Sequence, residues 1–171
     1  RVRVVNTSPV SDAVVHAALG IEAGQAATDE TLRPALLRLY NLEYFGVIRD
    51  RLELNPDGTR ELVITVPPAS TRNRVQFGLL FASDMAGDSE YAITTRHQLL
   101  AVNRLGGEWQ NVLQFGTVGV AETEFYQPLD AGMRWFARAR AGLRREQRRL
   151  WSDGEEVTEY TLDRASLRID V

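Results

Sequence analysis

Arginine is the residue through which this chain can do charged chemistry. All 20 of its basic residues are arginine; there is no lysine or cysteine, and the two histidines are His16 and His97. Arg134, Arg138, Arg140 and Arg144 share one parity along an alternating stretch, a row suited to a wet, polar wall. Arg96 and Gln98 belong to the same kind of row in an earlier stretch. Arg144, Arg145, Arg148 and Arg149 crowd together, and guanidinium forks so placed suit bidentate binding of anionic lipid headgroups, the plainer reading being a solvated hairpin end. Catalysis finds less. Gly87-Asp88-Ser89-Glu90 lacks the second glycine of a G-x-S-x-G nucleophile elbow. Glu155-Glu156 and Glu122/Glu124 read as solvated loop charge. Neither histidine has metal-ligand spacing to a third candidate, and without lysine no P-loop forms. The segment is therefore read as non-enzymatic, with no metal and no cofactor.

The stretch Met133–Leu143 must position the arginine row. Trp135, Ala137, Ala139, Ala141 and Leu143 fall on one face, with Arg134, Phe136, Arg138, Arg140 and Gly142 on the other. A period of two is a β-strand. Guanidiniums in that number do not enter a dry core. The pattern fits a transmembrane barrel strand, apolar outside and charged inside, or a one-sided strand of a soluble antiparallel sheet.

At 171 residues and net charge −3, with 44% hydrophobic and 25% charged residues, the chain gives no basic excess for nucleic acid. It holds no apolar run long enough for a transmembrane helix. Both ends fall inside alternating stretches, so a longer parent is expected.

Residues 1–67 read as β-α-α-β-β. Arg1–Asn6 alternates, and Ser11 caps a helix to about Leu19. A second helix carries Leu32, Leu36, Leu39 and Tyr40, and Pro34 favours Thr31 over Thr28 as its cap. Val47–Leu54 and Glu61–Val66 flank the turn Asn55-Pro56-Asp57-Gly58. Tyr40 and Phe45 are expected to pack the helix end onto the sheet. With its aromatic helix exit Leu39-Tyr40-Asn41-Leu42-Glu43-Tyr44-Phe45-Gly46-Val47, the segment resembles a POTRA (polypeptide-transport-associated) domain. It departs from that family at Glu43, where the family usually has a glycine suited to a left-handed helix cap. The resemblance implies a periplasmic domain that binds a partner strand at a sheet edge.

Pro67-Pro68-Ala69-Ser70-Thr71 marks a domain boundary, and residues 68–73 read as a linker. Residues 74–171 then read as about six antiparallel strands with no helical period. Their turns are expected at Ala86–Ser89, Arg104–Gly107, Val118–Ala121, Asp130–Gly132 and Arg144–Glu156, and a short segment, Glu122–Leu129, is the fourth strand. Tyr91, Trp109, Trp135 and Tyr160 suit an aromatic girdle. Six strands do not close a membrane barrel, so remaining strands must come from the rest of the parent chain. Gly106-Gly107-Glu108-Trp109 and Glu124-Phe125-Tyr126-Gln127-Pro128-Leu129 resemble the opening strands of the bacterial surface-antigen (BAM-type) barrel family. That resemblance implies an α+β POTRA domain followed by the hairpins of an incomplete transmembrane β-barrel in the cell outer membrane. Its partners would be outer-membrane lipid and a polypeptide passenger. The flavour is that of the type Vd branch, in which a patatin-like phospholipase precedes. The alternative is a soluble α+β binding protein with an open antiparallel sheet. The discriminating feature is the arginine row, which suits a wet lumen.

Overall fold

The computed structural model describes residues 1–21, 28–83, 89–152 and 155–171; the side chains of 29 and 149–157 lie outside that description. The chain forms two compact units. One holds residues 1–72, 100–108 and 127–136, the other residues 73–99, 109–126 and 137–171.

The first unit contains β1 (Val2–Asn6), α1 (Asp12–Leu19), α2 (Asp29–Asn41), β2 (Arg49–Leu54) and β3 (Arg60–Val66). β3 is central, parallel to β1 and antiparallel to β2, so β1 and β2 are the sheet edges. Val14, Val15 and Leu19 of α1 form one buried stripe, and Ala35 and Leu39 of α2 meet it over Ile64 and Val66 of β3. Each such aliphatic side chain contributes about 1.5–3 kcal/mol when fully buried. The Arg38 guanidinium of α2 closes the end of α1 by donating to the carbonyls of Ala18 (2.8 Å) and Leu19 (2.6 Å).

α2 starts one turn earlier than Pro34 suggests. Thr28 is the cap, and Thr28 and Thr31 exchange a reciprocal capping box, Thr28 N–H to Thr31 Oγ1 at 3.0 Å and Thr31 N–H to Thr28 Oγ1 at 3.4 Å. Two satisfied N–H groups outweigh the preference of proline for the first turn. The exit of α2 also differs from expectation. Tyr40 is half exposed, donating to the carbonyl of Ile48 (3.3 Å), while Tyr44 is buried beside Phe45. Glu43 makes that possible by adopting φ 56°, the left-handed conformation that favours glycine.

Tyr44 then becomes the hinge-pin of the unit. Its hydroxyl donates to the Gly106 carbonyl (2.9 Å) and lies 2.8 Å from Glu108 Oε1. Its ring lies against Gly106, where an added Cβ would come within 2.6 Å of Tyr44 Cε2 and φ is already 87°. Leu100 and Ala101 join the core, and Leu105, Ala131 and Met133 pack against it. The expected linker is bonded in as well. Gly46 N–H donates to Pro67 O (3.0 Å), Ala69 N–H to Tyr44 O (3.0 Å) and Leu100 N–H to Arg72 O (2.8 Å).

The second unit is built on one antiparallel meander, β4 (Asn73–Ser83), β5 (Ser89–Leu99), β6 (Glu108–Gly116), β7 (Val118–Pro128), β8 (Phe136–Ser152) and β9 (Glu155–Asp170), each paired with its neighbours in that order. Four expectations are corrected. Val118–Ala121 is strand rather than loop, so the short segment at Glu122 is the second part of a full-length β7. Thr117 alone separates β6 from β7, because Gly116 takes φ 148°, where a Cβ would run into the Tyr91 carbonyl. β8 begins at Phe136, not Met133, since Met133 sits at φ 54° in a turn closed by Leu129 N–H to Trp135 O (2.9 Å). β8 also continues to Ser152 and β9 starts at Glu155, so Arg144–Ser152 and Glu155–Glu156 are strand rather than loop and pair charged residues, because the ladder is made by backbone groups. Tyr160 accordingly lies within β9, opposite Arg148, not at a strand end. The expected turns Ala86–Ser89 and Arg144–Glu156 fall partly outside the described residues. No helix among the described residues is long and apolar enough to cross a membrane, which says nothing of strands.

Two substitutions at the α2 exit should move stability in opposite directions. Gly106→Ala is expected to cost about 2 kcal/mol, through strain at positive φ and overlap with Tyr44. Glu43→Gly is expected to stabilise by about 0.5–1 kcal/mol, the left-handed strain less the added chain entropy. Thermal unfolding followed by the helical circular-dichroism signal checks both; equal midpoints for the two variants would contradict this account of the exit.

Candidate functional site

The register divides the six-stranded sheet into two unlike faces. Val75, His97 and Asn111 stand opposite one another, as do Phe77, Thr95 and Leu113, then Leu79, Ile93 and Phe115. Across β8 and β9 the same parity gives Ala139 with Ile169, Ala141 with Leu167 and Leu143 with Ala165. This apolar face is open: Phe77 is 78% exposed, Leu79 84% and Leu167 76%. The other face pairs Arg74 with Gln98 and Gln110, Gln76 with Arg96, and Thr94 with Gln114. There, Arg140 stands opposite Arg168 and Arg144 opposite Arg164. Like charges directly opposite repel, and are tolerated where water screens them.

The polar face is organised by ion pairs. Arg140 Nε lies 3.1 Å from Glu122 Oε1 and 2.7 Å from Glu124 Oε2, and its Nη2 is also bonded to Glu124. Arg138 Nε lies 3.5 Å from Glu124 Oε1, and its guanidinium sits 5.6 Å from the Tyr126 ring centroid. Glu122 and Glu124 are thus strand residues holding the arginine row, not loop charge. Their spacing of two was the available signal.

The expected wall residues separate as follows. Arg138, Arg140, Arg96 and Gln98 share the polar face. Arg134 does not: it lies in the turn before β8, its Nε 3.4 Å from Asp130 Oδ2. The expected headgroup cluster does not converge. Arg144 and Arg148 flank Glu146 on the polar face, at 3.1 and 2.8 Å. Arg145 points to the apolar face and grips Asp163 with two bonds, 2.7 and 2.9 Å. The Arg149 side chain and the Glu155-Glu156 pair lie outside the described side chains. Alternation scatters residues that a count along the sequence places together.

His16 is exposed in the last turn of α1. His97 belongs to a bonded chain on the apolar face: its Nε2 meets Asn73 Oδ1 (2.8 Å) and its Nδ1 meets Asn111 Nδ2 (3.2 Å). Thr123 donates to Asn111 Oδ1 (2.7 Å), and Trp109 Nε1–H donates to Thr123 (2.8 Å). Among the described residues no three His, Asp or Glu side chains are grouped to hold a metal ion.

No family model matches the chain, and no curated protein matches it either. Solved structures do. CdiB from Acinetobacter baumannii aligns over 97% of this chain and 32% of its own, at 11% identity and TM-score 0.60. BamA from Haemophilus ducreyi lacking POTRA domains 1–3 aligns over 98% of this chain and 43% of its own, at 10% identity and TM-score 0.40. The chain therefore spans less than half of either structure. The CdiB likeness shows a shared fold over almost the whole chain.

The turn that launches β8 is expected to respond to acid. The Asp130 carboxylate accepts the N–H of Trp135 (2.8 Å), with the Arg134 guanidinium and the Gly132 N–H (3.1 Å) adding to it, and together they hold its carboxyl below the ordinary range. A carboxyl lowered by folding lends stability above its unfolded value, about pH 4, and loses it as pH falls through the folded value. Asp130→Asn should remove that acid-dependent loss. Hydrogen exchange at the Trp135 amide against pH reads it; an exchange profile unchanged by the substitution would contradict the assignment.

Proposed function

We propose that this chain is the POTRA domain and first six strands of an outer-membrane β-barrel module that translocates or anchors a polypeptide. The observation carrying the reading is the pair of unlike faces. Large apolar residues stand exposed in rows on one side of the sheet, while opposed arginines and their carboxylates line the other. Exposed apolar rows of this kind are costly in water and favourable in lipid. Opposed guanidiniums are the reverse. A barrel wall, lipid outside and wet lumen inside, meets both demands, whereas a soluble binding sheet meets only the second. The fold shared with CdiB supports the same architecture.

In this reading the β-α-α-β-β unit lies in the periplasm and offers a sheet edge, β1 or β2, to an extended partner strand. The later strands of the parent close the barrel with β4 and β9. The polar face lines the path and acts without catalysis. An attached patatin-like phospholipase is the passenger that the family resemblance suggests.

The absence of cysteine makes the test direct. Single cysteines at Leu79, Phe115 or Leu167 report on the apolar face, and at Gln76, Arg96 or Arg168 on the polar face. In liposomes carrying this chain within its closed parent barrel, a water-borne maleimide should label the second set. The first set should react only after detergent solubilisation. Equal labelling of both sets would overturn the barrel reading.

A further inference from the structure

The polar face has one level where its charges are not balanced. Along β8, Arg144 and Arg148 stand either side of Glu146, and each takes one of its carboxylate oxygens. β9 repeats the spacing with Arg164 and Arg168, but Ser166 occupies the place between them. The residues directly opposite those two arginines are Arg144 and Arg140, so β8 adds repulsion and no counter-charge. The β8 arginines of this face, Arg138, Arg140, Arg144 and Arg148, each meet a carboxylate. Arg164 and Arg168 are exposed, and among the described residues neither makes an ion pair.

The level of Ser166 is also open in space. Gly142 stands opposite Ser166. A Cβ at Gly142 would lie 3.1 Å from Ser166 Oγ and 3.6 Å from Glu122 Cγ, so Glu122 of β7 already reaches across the glycine. From that side Glu122 meets Arg140 at 3.1 Å. On the other side of Ser166 lies the free edge of β9, the last strand of the sheet. The level thus runs carboxylate, glycine, serine and then an unpaired edge, with an arginine two residues to either side of the serine.

We propose that the strand pairing with the free edge of β9 places an aspartate or glutamate opposite Ser166. Its two oxygens bridge Arg164 and Arg168, as those of Glu146 bridge Arg144 and Arg148. The inference rests on the barrel reading above, in which a later strand of the parent lies against β9, and adds to it the chemistry of that strand. Charge complementarity selects the occupant. An ionised carboxylate accepts a charge-assisted bond from each guanidinium and offsets the arginines opposed across β8 and β9. A neutral amide or hydroxyl leaves the positive charge uncompensated, and a basic residue adds to it. The small side chains of Gly142 and Ser166 leave room for the carboxylate to sit between the two guanidiniums.

Cysteine pairs in the closed parent barrel test this. With Ser166→Cys as the fixed member and single cysteines walked along the neighbouring strand, oxidative cross-linking peaks at the residue facing position 166. That residue should be Asp or Glu in the unaltered parent. Replacing it by its amide should lower the unfolding midpoint of the barrel, read by heat-dependent gel mobility, by about 2–4 °C. The same replacement should cost nothing once Arg164→Gln and Arg168→Gln are both present. Ser166→Glu, which puts a carboxylate between the same arginines from their own strand, should restore the midpoint. A neutral or basic facing residue would mean that water alone screens the arginines, and would overturn the proposal. A loss of stability that persists after Arg164→Gln and Arg168→Gln would do the same. The two levels separate cleanly. Absence of cross-links to any strand removes the barrel reading and this inference together; a cross-linked strand without the carboxylate removes this inference alone.

Discussion

A paired β-ladder satisfies its own backbone, so the two faces of a sheet are free to meet two different solvents. The whole second unit depends on that freedom. Its six strands exchange N–H and C=O groups with one another, leaving side chains alone to choose surroundings. On one parity the choice is apolar and open. On the other, Arg140 faces Arg168 and Arg144 faces Arg164, an arrangement that a low-dielectric medium would make far more repulsive than water does. Glu122, Glu124 and Glu146 moderate that repulsion without removing it. No single environment suits both faces, and this mismatch carries more weight than any individual contact.

The first unit answers a different constraint, the cost of burying a tyrosine hydroxyl. Tyr44 is fully enclosed, and the partners of its hydroxyl are Gly106, in the segment that links β5 to β6, and Glu108, the first residue of β6. An unpaired buried hydroxyl costs about 1–3 kcal/mol. Leu100, Ala101 and Leu105 from that segment, and Ala131 and Met133 from the one that links β7 to β8, add apolar surface to the same core. The β-α-α-β-β elements are thus completed by residues that sequence order assigns to the strands. Ser11 repeats the pattern at the helix start, its N–H donating to the carbonyl of Arg104 (2.8 Å).

What the sequence disclosed follows from what alternation encodes. Parity along Phe136–Leu143 or Val75–Phe81 is a local property, and the faces it implies are the faces observed. Turn positions are set by backbone conformation instead. Gly116 at φ 148° lets one residue reverse the chain, and nothing in the apolar pattern separates that from a longer loop. The basic cluster misled for the opposite reason: proximity along a strand is not proximity in space, and Arg145 leaves Arg144 and Arg148 by one residue of parity. The α2 exit shows a subtler limit. Glu43 departs from the glycine of the resembled family, yet adopts the conformation that glycine would supply, which residue identity alone does not reveal.

The polar chain on the apolar face shows how such a surface accommodates groups that apolar neighbours do not solvate. Asn73, His97, Asn111, Thr123 and Trp109 come from β4, β5, β6 and β7, and each finds its partner within the chain itself. His97 accepts from Asn111 on one ring nitrogen and donates to Asn73 on the other, so the ring is satisfied on both sides without water. In the sequence His97 appears only as an interruption of an apolar row. In the sheet it is the middle of a bonded row that runs across strands rather than along them. A polar group on an apolar sheet face is tolerable when its hydrogen bonds close laterally, and cross-strand register, not composition, decides whether they can.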